Sequence, residues 1–179
     1  VSTPKAPVPA THLFPSKPTP ARNQPFDFSD KTPPGILLRN GSFLAGAVER
    51  ATESSLRLSG RDTPLSTVNI ARILLQPLSK NLEDRIPTGR AGLLLTKGDF
   101  VDAEFKGIDN GQVRAISILF GPHYYDAAKE VIAIALRNHS LSAFTFEVRL
   151  LDGTLLYASS ITIERDALGI PTIRAENRG

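Results

Sequence analysis

Three segments of the chain share one pattern, in which two short apolar runs are joined at a turn that contains glycine. They are "ILLRNGSFLAGAVE" from Ile36, "LLLTKGDFVDAEF" from Leu93 and "VRLLDGTLLYAS" from Val148. Asn40-Gly41 and Asp152-Gly153 in these segments, and Asn110-Gly111 between them, tolerate positive φ at both central positions, as a type I′ hairpin turn requires. Lys97-Gly98 takes the equivalent place in the second segment. The pattern therefore predicts antiparallel β-hairpins.

The first two segments continue to match beyond the hairpin, which indicates an internal repeat. They close on similar apolar runs, "VNIARILLQ" and "KEVIAIALR". In isolation, "DAAKEVIAIALRN" could form a helix that opens at Asp126. The repeat instead predicts at most one helical turn and then a strand from Val131 to Leu136. The matched positions are Gly41 with Gly98, Phe43 with Phe100, Ile70 with Val131, and Ile73 with Ile134.

The repeat also divides the chain into regions. We expect small β modules at residues 36–77 and 91–140, joined by a linker at 78–90 that follows Pro77 and contains Pro87, and a partial third module at 141–179. The predicted fold class is all-β, with tandem small bent-sheet β-barrel modules, two full and one partial. An extended proline-rich arm, residues 1–35, precedes them.

The arm carries nine prolines, which exclude a helix or a central strand and favour an extended chain. Its composition is also typical of a disordered linker. At about 3.1 Å per residue, an extended arm of this length would reach on the order of 100 Å, far enough to cross its own domain and contact a neighbour. Its large apolar side chains, which we predict to be its anchors on a partner, are Phe14, Phe26 and Phe28.

The segment "LLRNGSFLAGAVERATESSLRLSG" has an apolar pair, a turn, Gly46 at a strand bend, and then Leu56 and Leu58. This pattern resembles the first motif of the Sm-like fold, a bent five-stranded barrel related in shape to SH3 barrels. The two full copies also resemble tandem small-barrel repeats of exported bacterial proteins of uncharacterised function. The Sm family binds RNA through an acidic residue and an asparagine after the bent strand and through an Arg-Gly step. Because "ATESS" from Ala51 and "NIAR" from Asn69 lack these residues, the resemblance implies the fold and not RNA binding.

The most conspicuous polar and aromatic cluster is "GPHYYD", residues 121–126. As a hairpin loop it would present Tyr124 and Tyr125 to a partner, because tyrosine is amphipathic. The alternatives are a metal held by His123 and Asp126, and stacking of the tyrosines on a sugar or a base. The sequence has no Gly-x-Ser-x-Gly elbow and no phosphate-binding glycine loop. We therefore assign no catalytic residue, no metal ligand and no cofactor.

The chain contains neither cysteine nor methionine. The lack of thiols suits an oxidising compartment, and a first residue other than methionine leads us to expect a processed N-terminus, such as removal of an export signal leaves. We therefore predict an extracytoplasmic location, periplasmic or secreted. No apolar stretch approaches the roughly 20 residues that a transmembrane helix needs, which is still compatible with peripheral membrane association.

The leading functional hypothesis is a non-enzymatic structural subunit of an extracytoplasmic complex or filament. Its arm and its open β edges would join it to protein partners or to copies of itself. The alternative is an Sm-like or carbohydrate-type binding module for nucleic acid or glycan, although the net charge of +3 is spread over scattered lysines and arginines, which disfavours nucleic acid. An enzyme ranks third, because no convergent nucleophile, base and orienting group is present.

Overall fold

The computed structural model describes residues 31–139, 144–165, 169 and 171–176. The predicted arm anchors Phe14, Phe26 and Phe28 lie outside these residues. The described secondary structure is almost entirely β, and every described strand pairing is antiparallel. The all-β prediction is confirmed.

The described strands of the first repeat lie within residues 35–74, those of the second within 92–135 and those of the third within 146–176. A 3-10 turn spans Thr67–Asn69, and a one-turn helix, α1, spans Lys80–Glu83. The strands are β1 (Lys31–Thr32), β2 (Gly35–Leu38), β3 (Phe43–Ala45), β4 (Val48–Thr52), β5 (Ser55–Leu58), β6 (Leu65–Ser66), β7 (Ile70–Leu74), β8 (Leu78–Ser79), β9 (Gly92–Leu95), β10 (Phe100–Asp109), β11 (Gln112–Ser117), β12 (Gly121–Asp126), β13 (Val131–Ala135), β14 (Phe146–Arg149), β15 (Leu155–Ala158), β16 (Ser160–Arg165) and β17 (Pro171–Glu176).

The first two repeats pair their strands in the same register. Ile36 of β2 lies opposite Ile73 of β7, and in the second repeat Leu93 of β9 lies opposite Ile134 of β13. Both pairings also shift register at the matching place further along the strands. The correspondence between the two repeats that the sequence predicts therefore also holds in the pairing of their strands.

The predicted separate barrels are not found. β7 pairs with β13, and β4 pairs with β10, so that both repeats belong to one 13-stranded sheet, and no closed barrel occurs among the described strands. The physical reason is that the outer edge of β7 or β13 carries N–H and C=O groups that need partners. Pairing the edge of one repeat with the edge of the other satisfies both sets of groups.

The two junctions between the repeats share an internal symmetry. Ile73 lies opposite Ile134 where β7 meets β13, and Ala51 lies opposite Ile108 where β4 meets β10. In each pair, the two residues hold matching positions in their own repeats. The strand registers therefore relate the repeats by an approximate two-fold axis, as in the isologous interface of a symmetric dimer.

The central strands of this sheet are covered on both faces. Ile73 belongs to the larger core cluster and the adjacent Leu74 to a second one, because successive strand residues face opposite sides. Leu78 and Ile86, which lie between the repeats, complete the second cluster. The predicted linker, residues 78–90, therefore packs against the sheet.

The turn at Asn40-Gly41 differs from the predicted type I′ form. Gly41 has a φ of 89°, whereas Asn40 has no positive φ, and the hairpin closes with a 2.8 Å bond from the Leu38 N–H to the Ser42 carbonyl oxygen. This is a three-residue loop that ends in a left-handed glycine. At Asn110-Gly111 the type I′ prediction is correct, with φ values of 48° and 72°.

The third repeat attaches to the first through its β14–β15 hairpin, which extends the sheet beside β3. Its turn, Asp152-Gly153, has the same three-residue form as the first. The Thr154 Oγ1 accepts the Ala45 N–H at 3.1 Å, and the Ser42 Oγ accepts the Tyr157 N–H at 3.0 Å. Because Ser42 and Thr154 each follow the turn glycine of their own repeat, this contact is also reciprocal.

Candidate functional site

The segment "GPHYYD" forms strand β12 and not the predicted loop. It pairs with β11 over its full length, from Gln112 opposite Asp126 to Ser117 opposite Gly121. The turn of this hairpin is residues 118–120, directly before the predicted cluster. Because strand side chains alternate between the two faces of a sheet, the two tyrosines of β12 point in opposite directions.

Tyr125 is buried in the larger core cluster. Burial raises the pKa of its phenol, and the nearby charge of Glu130 raises it further. Its ring centroid lies 4.6 Å from that of His123. Of the two tyrosines predicted to contact a partner, Tyr124 is the one on the surface, where it is 61% exposed.

The end of the β11–β12 hairpin carries three consecutive exposed apolar side chains, which we call the apolar tip. Ile118 is 93% exposed, Leu119 83% and Phe120 69%. Single exposed apolar residues are common on protein surfaces, whereas a contiguous group at a projecting turn is typical of a docking site. The Leu119 N–H donates to the Ser117 Oγ at 3.3 Å within this turn.

The apolar tip of the second repeat has no counterpart in the first. The matching hairpin of the first repeat, β5–β6, turns through "SGRDTP", residues 59–64, which is polar. The sequence prediction at this hairpin singled out Tyr124 and Tyr125 and not the tip residues. The available signal was an apolar run, "ILF" from Ile118, placed directly before the turn-forming Gly121 and Pro122.

The predicted alternative metal ligands have other structural roles. The Asp126 carboxylate accepts the N–H groups of Ala128 and Lys129 at 2.9 and 3.1 Å and so holds the turn that leads into β13. These hydrogen bonds, that of Ala128 first, lower the pKa of Asp126, while burial opposes them. In the part of the chain that the structure describes, no group of three or more metal-binding side chains occurs.

A shallow groove of about 480 Å³ lies beside the junction of β4 and β10. Its basic side chains are Arg50, Lys106 and Arg114, and Tyr124 forms one wall. Arg50 pairs with Asp109 at 3.4 Å. Lys106 pairs with two glutamates, and its hydrogen bond to one of them is the main cause that raises its pKa. Arg114 forms no ion pair with a described carboxylate, and its guanidinium reaches the Lys106 carbonyl oxygen at 3.5 Å.

Comparison with protein families, with curated proteins and with solved structures gives no match to this chain. No helix in the described ranges has both the length and the apolar character that a membrane span requires.

Proposed function

We propose that the chain is a non-enzymatic assembly subunit, which joins protein partners or copies of itself outside the cytoplasm. Its arm and its exposed β surfaces would supply the contacts. The proposal belongs to the class of structural proteins, in which affinity comes from buried apolar area and paired strand edges, and no chemical step is involved.

The apolar tip is the observation that carries the proposal. Burying a large apolar side chain contributes about 1.5–3 kcal/mol, and three such side chains project together at the tip. The six residue pairs of the β11–β12 ladder fix their positions in advance. Binding of a partner to the tip therefore costs little conformational entropy in this hairpin.

The polar groups around the hairpin also favour binding over catalysis. The Asp126 carboxylate accepts hydrogen bonds from backbone N–H groups, and the His123 ring lies tilted against the ring of Tyr125. A general acid or base must instead face a reacting group within hydrogen-bond reach.

Light scattering during size-exclusion chromatography tests the proposal on the full chain. The triple variant Ile118→Ser, Leu119→Ser, Phe120→Ser should lower the mass of the assembly while the circular dichroism spectrum stays the same. The matched control is Leu151→Ser, which removes an almost fully exposed leucine from another hairpin turn and should leave the mass unchanged. A wild-type monomer would overturn assembly from copies of this chain, and a triple variant of wild-type mass would overturn the role of the apolar tip.

Deletion of residues 1–30 tests the arm separately. If Phe14, Phe26 and Phe28 anchor the arm on a neighbour, the shortened chain should form smaller assemblies and keep its β spectrum. The matched variant replaces these three phenylalanines with serine in the full-length chain, so that the loss of anchors is separated from the loss of chain length. An unchanged mass in both variants would remove the arm from the proposal.

A second candidate function is the binding of an acidic glycan or a single-stranded nucleic acid in the groove. The observation that favours it is that Arg114 lies opposite Tyr124 on adjacent strands, which sets a cation beside an exposed ring. Phosphate binding would weaken steeply with salt, whereas stacking on the ring would be lost in Tyr124→Ala. A filter-binding assay with an oligonucleotide and a glycan array cover both ligands, and equal retention by wild type and Arg114→Gln would exclude this function.

A further inference from the structure

The pairing of the first two repeats provides a pattern against which the third can be compared. β4 and β10 meet at Ala51 and Ile108, which lie at the same distance after the turn glycines of their repeats. At that distance after Gly153, the third repeat has Ile163, in β16. β16 therefore corresponds to the strand through which the first two repeats pair with each other.

Ile163 is exposed where its counterparts are buried. It lies opposite Ile173 in the β16–β17 hairpin, and the two side chains are 71% and 56% exposed. Two isoleucines side by side on one strand pair form an apolar surface that water solvates poorly. The matching cross-strand pairs of the first two repeats lie in the core, and they are Ala51 with Leu56 and Ile108 with Val113.

The outer edge of β16 has no strand partner in the described structure. β16 pairs with β17 from Ser160 to Arg165, and these two strands form a sheet of their own. In β4 and β10, the corresponding edge is occupied by the other repeat. An exposed edge whose side chains are apolar is a site for the addition of another strand.

We infer that β16 pairs with β16 of a second copy of this chain, antiparallel about a two-fold axis at Ile163. This inference rests on the proposed assembly role and adds to it a second surface and the identity of the partner. The contact between repeats within one chain, Ala51 opposite Ile108, would then recur between chains as Ile163 opposite Ile163. Each copy would bury its own Ile163 against the same residue of the other copy.

The charges of β16 favour this register. With Ile163 on the axis, Thr162 lies opposite Glu164 and Ile161 opposite Arg165, so that no two like charges are directly opposed. An axis at Glu164 would place Glu164 opposite Glu164, which is unfavourable. An axis at Thr162 would oppose no like charges and would place Ile161 opposite Ile163, so that the choice of Ile163 over Thr162 rests on the match to the Ala51–Ile108 pair.

Cysteine cross-linking tests the register directly, because the chain has no cysteine of its own. Directly opposed residues of antiparallel strands have Cα atoms about 4.5–5.5 Å apart, within the range that a disulfide spans. Mild oxidation of Ile163→Cys should therefore give a covalent dimer on a non-reducing gel. The matched control is Leu151→Cys, an exposed turn residue that should cross-link only at the rate of chance collision. Equal yields from the two variants would overturn the inference.

The variant Ile163→Lys separates this inference from the proposed function. It places two like charges on the axis and should weaken dimerisation by about tenfold or more. If Ile163→Lys leaves the mass unchanged while the serine variant of the apolar tip lowers it, the β16 dimer is wrong and the assembly role stands. If Ile163→Lys lowers the mass of the assembly and the tip variant does not, the β16 dimer is supported and the assembly role that was argued from the apolar tip is wrong. If neither variant changes the mass, both are wrong.

Discussion

Ile73 and Ile134 lie directly opposite each other where β7 pairs with β13, and both are completely buried in the same core cluster. They hold the same position in two copies of one sequence pattern. The junction between the repeats is therefore part of the core, and the first two repeats should unfold as one cooperative unit.

Truncation at this junction tests that expectation. Ile73→Ala and Ile134→Ala should each lower the free energy of unfolding by about 2–5 kcal/mol, measured by urea denaturation. Because the two side chains share one packing site, we expect a coupling energy of about 0.5–3 kcal/mol in the double variant. The control, Ile118→Ala at the exposed tip, should change stability by no more than about 0.5 kcal/mol. Strictly additive losses, or two separate unfolding transitions, would contradict a shared core.

Gly35 and Gly92 hold matching positions at the start of each repeat and should not tolerate alanine. A Cβ at Gly35 would lie 2.6 Å from the Phe43 ring, and one at Gly92 would lie 2.8 Å from the Phe100 ring. Each would also contact a backbone carbonyl oxygen. We expect Gly35→Ala and Gly92→Ala to cost about 1–3 kcal/mol each in thermal or urea unfolding, since overpacked cores are strained.

The control for the glycine variants is Gly60→Asn. Gly60 has a φ of 74°, which asparagine tolerates, and its added Cβ would meet no atom within 4 Å. The prediction fails if the variants at Gly35 and Gly92 are as stable as this control.

The paired hydroxyls of Ser42 and Thr154 should hold the third repeat on the first. Thr154→Val keeps the shape of the side chain and leaves the Ala45 N–H without its acceptor, which costs about 1–3 kcal/mol. Hydrogen exchange should show faster loss of protection at Ala45 in this variant, and at Tyr157 in Ser42→Ala. Thr96→Val, at an exposed threonine, is the control. Unchanged exchange at both amides would show that the hydroxyls do not hold the third repeat.

Asp126 should make stability depend on pH in the acid range. The N–H of Ala128, and then that of Lys129, stabilise the carboxylate and lower its pKa below the ordinary value of 3.8. The contribution of this carboxylate is therefore complete above pH 3.8 and is lost as the pH falls through the lowered, folded-state pKa. We expect an NMR titration to place the Asp126 carboxyl below 3.8, and Asp126→Asn to show a flatter decline of stability in acid. A titration at or above 3.8 would contradict this, and Asp62→Asn in an exposed loop is the control for a general charge effect.

The candidate site could be read only in part from the sequence. Tyr124 and Tyr125 are neighbours in one motif, and composition gives no reason to separate them. The strand of which they are part places one on each face, so that burial distinguishes them. The sequence did not indicate the apolar tip for a related reason. The run "ILF" before Gly121-Pro122 is equally typical of the end of a buried strand.

The sequence by itself determined the all-β class, the positions of the turns that contain glycine and the correspondence between repeats, because alternating side chains and left-handed glycines act within a few residues of one another. It did not determine the form of the turn at Asn40-Gly41 or the strand β12. The repeat also favoured a strand from Val131 to Leu136 over a helix that opens at Asp126, and the structure has a turn there and then the strand Val131–Ala135. Only the tertiary structure decided that the repeats merge through β7–β13 and β4–β10, where separate barrels were expected. The physical reason is that strand edges pair through backbone groups that every residue shares, so that the choice of partner depends on which edges the fold brings together.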